Sequence, residues 1–395
     1  MRRFVPFLLI LFAIAAFLRV DFFFTILYLF FGVYLLSRLW ARRTVERLEV
    51  ERRYVSRAFQ GERVMVDVMV HNAGWLPVPW LEVHEALPVQ LIAPPFHREV
   101  VSLGPQERRH LRYRLNCRRR GYYPIGPLTM QTGDLLGIER QSVVRVKPGY
   151  LTVYPRVVPL HKLGLPTRSP LVALPAGAHL FEDPARVMGV RDYQPGDSPR
   201  RIHWTATASA GRLLVKQYQP AIARETLICL DLDQNSYDRG QRYTATELAI
   251  VIAASIASHI VTREDLPVGL TTEARDPMLD DQAHFFLPPR SERAHLMSLL
   301  EVLARVQVAP EASFAELLRR ARVDLAWGAT LTVITGRESE ALFDTLLNLR
   351  RAGFAVALIL VQPGRPSTEL RKRSDLLNLP VHRVWRERDL ETWHV

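Results

Sequence analysis

Cysteine is nearly missing from this chain. Its 395 residues include two, Cys117 and Cys229, in different predicted domains, without the number for a disulfide framework or the spacing of a metal site. Cys229 lies in an apolar run and reads as packing. Lysine is almost as scarce: only four of the 52 basic residues are lysines, at 147, 162, 216 and 372, and the arginines that make up the rest are spread along the whole length. The formal net charge of +12 is therefore a general arginine bias and not a binding stripe, and with no RNP or zinc-finger signature nucleic acid is not an expected partner. Absent as well are a Walker A loop, a Gly-x-Ser-x-Gly elbow, a His-Glu-x-x-His helix and a cysteine-protease pattern. Enzymology finds no positive support. Apolar residues, by contrast, are plentiful: the chain is 48% hydrophobic and 23% charged, the balance of a folded protein, and long enough for two soluble domains beyond a membrane segment.

Two apolar runs open the sequence, 4–18 and 22–40, separated by Arg19, Val20 and Asp21. The first is short for a bilayer core of about 30 Å, and snorkelling arginines or local thinning make up the difference. Arg2 and Arg3 flank the entry; Arg38, Arg42, Arg43 and Arg47 flank the exit. Positive charge at both ends predicts a transmembrane helical hairpin over 1–44 with both termini cytoplasmic. Arg2-Arg3 followed by Ala13, Ala15 and Ala16 also fits a signal peptide, yet the second apolar run would itself hold the chain in the membrane.

Beyond the hairpin the period changes to two. Val64, Val66, Val68 and Val70 alternate with Met65, Asp67 and Met69, a strand with one apolar face. Asn72, Gly74, Pro77 and Pro79 break it, and further short runs at 80–85, 100–103, 109–116 and 128–132 are separated by Gly and Pro. With no helical period among them, these strands predict an all-β sandwich over 45–158 that serves interaction or spacing. A Pro- and Gly-interrupted linker, 159–188, follows. From 221 to 395 apolar strands at 226–233, 267–271, 330–335, 355–361 and 380–385 alternate with helices at 243–262, 292–305, 314–322 and 338–351, the pattern of a doubly wound α/β domain with a largely parallel sheet.

The stretch 189–220 is the densest in polar, aromatic and turn-forming residues. Pro195-Gly196 is a turn dipeptide, Ser198 is placed to cap a helix that starts at Pro199, and Gly211 is placed to stop it; the helix is expected over 199–209. On it Arg200 and Trp204 share a face beside His203, Arg201 lies further round, and a strand from Arg212 to Gln219 puts Lys216 with Leu214 and Tyr218. Asp192 and Asp197 precede the helix, placed to pair with Arg200, Arg201 or Lys216. Two readings stand. In one the segment is a structural clamp, with acids satisfying arginines, Trp204 filling core and His203 bonding a carbonyl. In the other, Arg200, Arg201, His203 and Lys216 form an anion or partner site. No nucleophile and base stand at triad spacing, so no catalytic residue is assigned.

The order R-D-Y-x-P-G-D-x-x-R-x-I-H-W, from Arg191, Asp192 and Tyr193 through Pro195, Gly196 and Asp197 to Trp204, then T-A and G-x-L-x-V-K, resembles the signature of the bacterial "domain of unknown function 58" family. Gly121-Tyr122-Tyr123 and 133–137 also resemble family positions. The resemblance covers the chain throughout: membrane hairpin, β-rich domain, signature, then a von Willebrand factor A-like domain. It implies a multi-pass protein of the bacterial inner membrane that accompanies a MoxR-type AAA+ ATPase, without implying a known reaction. It also places Asp231, Asp233 and Asn235 where von Willebrand factor A domains carry Asp-x-Ser-x-Ser for a divalent cation such as Mg²⁺. Here Asp233 and Asn235 replace the serines, and Thr335-Gly336-Arg337 stands where a metal-binding chain has Thr-Asp-Gly. The expectation is a protein-interaction adaptor with its soluble domains cytoplasmic. The alternative is a membrane-bound metal-dependent hydrolase using Asp231 and Asp233.

Overall fold

The computed structural model describes residues 6, 10, 12–13, 21–133, 140–160, 182–194, 198–199, 202–220, 225–279, 281–310, 313–323, 325, 328–362 and 380–391. The chain divides into two compact units, Met1–Arg156 and Val157–Val395.

The first unit begins with helix α1, Asp21–Glu46. It contains a stretch long and apolar enough to cross a membrane, Phe24–Glu46, of which 11% of the most apolar window is buried. The first arm of the expected hairpin, 4–18, lies almost wholly outside the described residues. Among the described residues ten strands follow: β1 Leu48–Arg53, β2 Arg57–Phe59, β3 Arg63–Asn72, β4 Val78–Ala86, β5 Phe96–Leu103, β6 Arg108–Asn116, β7 Gly121–Ile125, β8 Leu128–Gly133, β9 Arg140–Val146 and β10 Gly149–Tyr154. They form sheets in the orders β1-β3-β6, β5-β4-β8-β9 and β2-β10-β7. Alternation decides what each strand buries. Val64, Val66, Val68 and Val70 on β3 are at most 5% exposed and join Leu81 and Val83 of β4, Leu111 and Leu115 of β6, and Leu128 and Met130 of β8 in one core. This is a sandwich-like packing of two apolar faces.

One polar group crosses that core. Glu85 of β4 is fully buried; it takes an ion pair from Arg52 of β1 and a hydrogen bond from the Tyr113 hydroxyl of β6. Arg52 also donates to the carbonyls of Ile125 and Lys147, each at 3.0 Å. Burial, with the Glu85 charge beside it, pushes the Tyr113 hydroxyl far above its ordinary range. A carboxylate this deep is tolerable because every partner around it is a donor.

The second unit contains a hairpin and a six-stranded sheet. In the hairpin, β11 (Glu182–Asp192) pairs antiparallel with β12 (Leu214–Pro220), and the short helix α2, Trp204–Ala210, lies between them in sequence. The sheet contains β13 Thr226–Leu230, β14 Val268–Asp276, β15 Asp281–Arg290, β16 Thr330–Thr335, β17 Ala355–Val361 and β18 Val381–Val384, in the order β15-β14-β13-β16-β17-β18. All neighbours are parallel except β14 and β15. Helices α3 (Arg242–His259), α4 (Arg293–Arg305), α5 (Phe314–Ala321) and α6 (Glu340–Arg351) connect them, and α7 (Arg388–Glu391) follows β18. Leu317, Leu318 and Ala321 of α5 and Leu342, Phe343, Leu346 and Leu349 of α6 pack with Leu227, Cys229, Leu331 and Val333 on one sheet face. Ile228 and Leu230, on the other face, are equally buried. Covered on both sides, β13 and β16 are buried at every residue, which is why their sequences are continuously apolar or β-branched. The helical stretch Arg242–Glu264 also has the length and composition of a membrane span, but with 78% of its most apolar window buried it is the core helix of this sheet.

The expected strands at 330–335 and 355–361 stand where the pattern put them. An unforeseen one is β15, with Pro288 and Pro289 near its end. Proline cannot donate to a ladder, so such a strand survives only at an edge, and β15 is the edge.

Candidate functional site

In an open α/β sheet the cleft lies beyond the carboxyl ends of the strands, where successive connections leave in opposite directions. Here that point falls between β13 and β16: the chain passes from β13 to β14 on one side and later returns to β16 on the other. Asp231, 2% exposed, follows the last residue of β13. Its Oδ1 accepts the Asp233 N–H at 3.0 Å and its Oδ2 accepts the Thr335 hydroxyl at 2.7 Å. The Asp231 carbonyl accepts the Tyr237 hydroxyl at 2.6 Å, and its N–H donates to the Ile334 carbonyl at 2.9 Å. Asp233 caps the 3-10 turn Gln234–Ser236, its Oδ1 accepting from the Asn235 N–H at 3.0 Å and from Asn235 Nδ2 at 3.2 Å.

Burial pushes the Asp231 carboxyl up to about 6, against the Ser236, Thr335 and Asp233 N–H hydrogen bonds that pull it down. The nearby Asp233 charge raises it further. Tyr237 is buried and its hydroxyl is likewise pushed well up, chiefly by burial. Gly336 completes the corner: a Cβ there would lie 2.4 Å from Tyr237 Cδ1 and 2.7 Å from the Ser236 carbonyl oxygen. Thr335, Ser236 and Tyr237 are the residues that sequence reasoning did not assign as partners of Asp231, although Ser236 and Tyr237 stand close after it in sequence.

A hard cation needs oxygen lone pairs directed at a common point. Both oxygens of Asp231 already accept from protein donors, and the Asp233 oxygen that accepts twice does so from Asn235 itself. A cation at this corner would share those oxygens with the donors already on them. Among the described residues there is no group of three or more His, Cys, Asp and Glu side chains arranged to hold a metal.

Of the signature residues, Pro195, Gly196, Asp197, Arg200 and Arg201 lie outside the described residues. The helix begins at Trp204 and not at Pro199. Pro199 instead opens a turn that the Ile202 N–H closes at 3.3 Å, and Ile202 bridges to Val215, committing the chain to β12 before the helix starts. His203 therefore takes the capping role expected of Ser198, its Nδ1 accepting the Ala206 N–H at 3.2 Å. Gly211 does stop the helix, in the left-handed conformation at φ 67°. Thr207 ties the helix to β12, its Oγ1 accepting the Leu214 N–H at 3.0 Å.

The structural-clamp reading differs from the structure at Trp204, while Asp197, Arg200 and Arg201, three of its charged groups, lie outside the described residues. Asp192 pairs with Arg212 at 3.2 Å, both exposed, a contact of little energetic weight. Trp204 fills no core: it is 67% exposed, on a helix that buries none of its residues. Leu213 next to the hairpin is 47% exposed. Tyr193 is half-buried, its N–H donating to the Leu213 carbonyl at 3.0 Å, and Lys216 is half-buried opposite Val190.

The class defined so far is a two-unit chain with an apolar N-terminal helix, a sandwich-like β unit and a three-layer α/β unit. The family model for "Protein of unknown function DUF58" matches residues 189–329, from the hairpin through the loop after α5. The "Uncharacterized protein YeaD" of Bacillus subtilis (strain 168) is 24% identical over 250 residues, 57% of this chain and 56% of that protein, so the match spans little more than half of either. Among solved structures, the CARDB domain of the PF1109 protein from Pyrococcus furiosus aligns at 20% identity and TM-score 0.22, over 27% of this chain and 91% of that one. A β-glucosidase from Listeria innocua aligns at 14% identity and TM-score 0.19, over 27% and 16%. At these TM-scores neither likeness bears on the fold.

Proposed function

We propose that this chain is a membrane-anchored interaction protein that serves as an adaptor for a MoxR-type AAA+ ATPase in the assembly or maturation of other proteins. The N-terminal apolar runs form a hairpin in a bacterial inner membrane and leave both soluble units in the cytoplasm. The α/β unit is a degenerate von Willebrand factor A-like domain, in which the Asp231–Thr335 hydrogen bond holds the corner that a cation organises elsewhere. Energy comes from the ATPase, as this chain has no nucleotide motif.

The observation that carries the reading is Trp204. A large aromatic held 67% exposed by a capped helix inside the segment that carries the family signature is costly to leave in water, and aromatic anchors of this kind dominate protein interfaces. A pulldown of the detergent-solubilised full chain from its native cells, with and without EDTA, tests it. Recovery of an AAA+ ATPase that survives EDTA and is lost with Trp204→Ala supports the adaptor. Its absence from cells that express one removes the reading.

A further inference from the structure

The first unit carries a second exposed tryptophan, in a setting unlike that of Trp204. Trp75 is 73% exposed, in the loop between β3 and β4. A side chain that open usually belongs to a loose loop, but this loop is pinned at both ends and in its middle. The Ala73 N–H donates to the carbonyl of Arg47, immediately beyond α1, at 2.9 Å. Buried Asn72 donates to the Leu76 and Gly104 carbonyls, each at 2.8 Å, and accepts the Gly74 N–H at 3.0 Å. Gln106 Nε2 donates to the Ala73 carbonyl at 2.9 Å. At the far end, the Trp40 indole N–H on α1 donates to the Pro77 carbonyl at 3.2 Å. Gly74 packs so closely on Arg47 that a Cβ would stand 3.2 Å from the Arg47 Cβ.

These bonds lay the loop along α1, with residue 73 beside Arg47 and residue 77 beside Trp40. Trp75 therefore stands level with Arg42 and Arg43. The stretch Phe22–Leu39, with Arg38 as its one charge, is about 27 Å long at 1.5 Å per residue, close to the hydrocarbon thickness of a bilayer. Phe22, Tyr28, Leu29, Phe31, Leu35, Leu36 and Leu39 on it are all exposed. If that stretch fills the hydrocarbon, the polar interface begins near Trp40, and Trp75 lies within about a helical turn of it. This is the layer in which amphipathic indole rings concentrate. Arg42, Arg43 and Arg47 are exposed around the same level, where each is attracted to anionic headgroups.

We propose that Trp75 is a membrane-interface anchor: the 73–77 loop, braced against the end of α1, seats the β-sandwich directly on the headgroup layer of the bilayer that α1 enters, with Arg42, Arg43 and Arg47 on anionic lipid. The β unit is then a base lying on the membrane and not a free spacer. The inference rests on the reading of α1 as a membrane span.

The test uses the full chain, reconstituted in nanodiscs of phosphatidylcholine and phosphatidylglycerol, with a nitroxide label on Trp75→Cys or, as reference, on Val100→Cys, which is 58% exposed on β5. The native cysteines Cys117 and Cys229 are buried and do not compete for label. Relaxation by lipid-soluble oxygen should exceed that by a water-soluble nickel chelate at position 75, and the reverse should hold at position 100. Equal aqueous exposure at the two positions, in protein that resists alkaline extraction from the membrane, overturns the interface anchor and leaves the membrane span standing. Release of the chain by alkaline extraction overturns the span, and the anchor falls with it. Because the label removes the tryptophan, bromolipid quenching of wild type against Trp75→Phe provides the second measurement. Wild type should lose more fluorescence than the variant, and equal loss counts against the proposal.

Discussion

The Thr335 hydroxyl donates a 2.7 Å hydrogen bond to Oδ2 of Asp231, joining the ends of the two central strands where the sheet reverses its direction of connection. Both residues are buried, so removing the donor leaves a carboxylate oxygen without its partner and without water. Thr335→Val should lower the stability of the α/β unit by about 1–3 kcal/mol, the usual cost of an unsatisfied buried acceptor, whereas Thr335→Ser should retain most of it. Chemical denaturation of the two variants side by side checks this.

Asp231 also makes a pH prediction. Its carboxyl rises from the ordinary 3.8 to about 6 in the folded protein, mainly by burial. A raised carboxyl pKa means the folded state holds the proton more tightly. The contribution of this group is therefore fully present below about pH 4 and is lost as pH rises through about 6, a penalty of about 3 kcal/mol at neutral pH by linkage. Asp231→Asn should remove that dependence. Its thermal midpoint relative to wild type should climb between pH 4 and pH 7 and level off above, which differential scanning calorimetry across that range measures.

Gly336 predicts the opposite kind of effect, from crowding. A Cβ would meet Tyr237 at 2.4 Å and the Ser236 carbonyl oxygen at 2.7 Å, neither at the free end of a flexible chain. Gly336→Ala should cost about 1–3 kcal/mol through overpacking and should loosen the Tyr237–Asp231 contact. Hydrogen exchange at residues 231–237 would register it.

In the sandwich, the Arg52–Glu85 pair should be strongly asymmetric to mutation. Arg52→Met alone leaves a buried carboxylate unpaired, at a cost of about 3–5 kcal/mol. Arg52→Met with Glu85→Leu removes both charges and should cost much less than the sum of the single changes, a coupling that a double-mutant cycle measures. Tyr113→Phe should be the mildest of the set.

The legible parts of the chain are those in which one physical rule acts alone. Val64 to Val70 alternate because one face is buried, and residues 330–335 are continuously apolar or β-branched because two faces are. Both patterns survive without knowledge of any neighbour. The sequence pattern starts the signature helix too early because Ser198-Pro199 is a good local start that loses to a tertiary bond: the Ile202–Val215 bridge holds the chain extended and passes the cap to His203. Strand β15 was hidden by Pro288 and Pro289, which only an edge position accommodates. The exposure of Trp204 was not legible at all, since an aromatic at helical spacing carries the same pattern whether it faces a core or a partner. The acids at the end of β13 are visible in the sequence, but the setting of Asp231 depends on Thr335, 104 positions away.

The central claim is that the signature helix is a contact surface for an AAA+ ATPase, and a photocrosslinker placed at Trp204 tests it most directly. The full chain would be expressed in its native membrane with a benzoylphenylalanine at position 204 or, as reference, at Val323, which is 83% exposed after α5. The account predicts a crosslink to a MoxR-type ATPase from position 204 and none from position 323. Cells that contain the ATPase and give no crosslink at 204, or equal crosslinks at both positions, would contradict it.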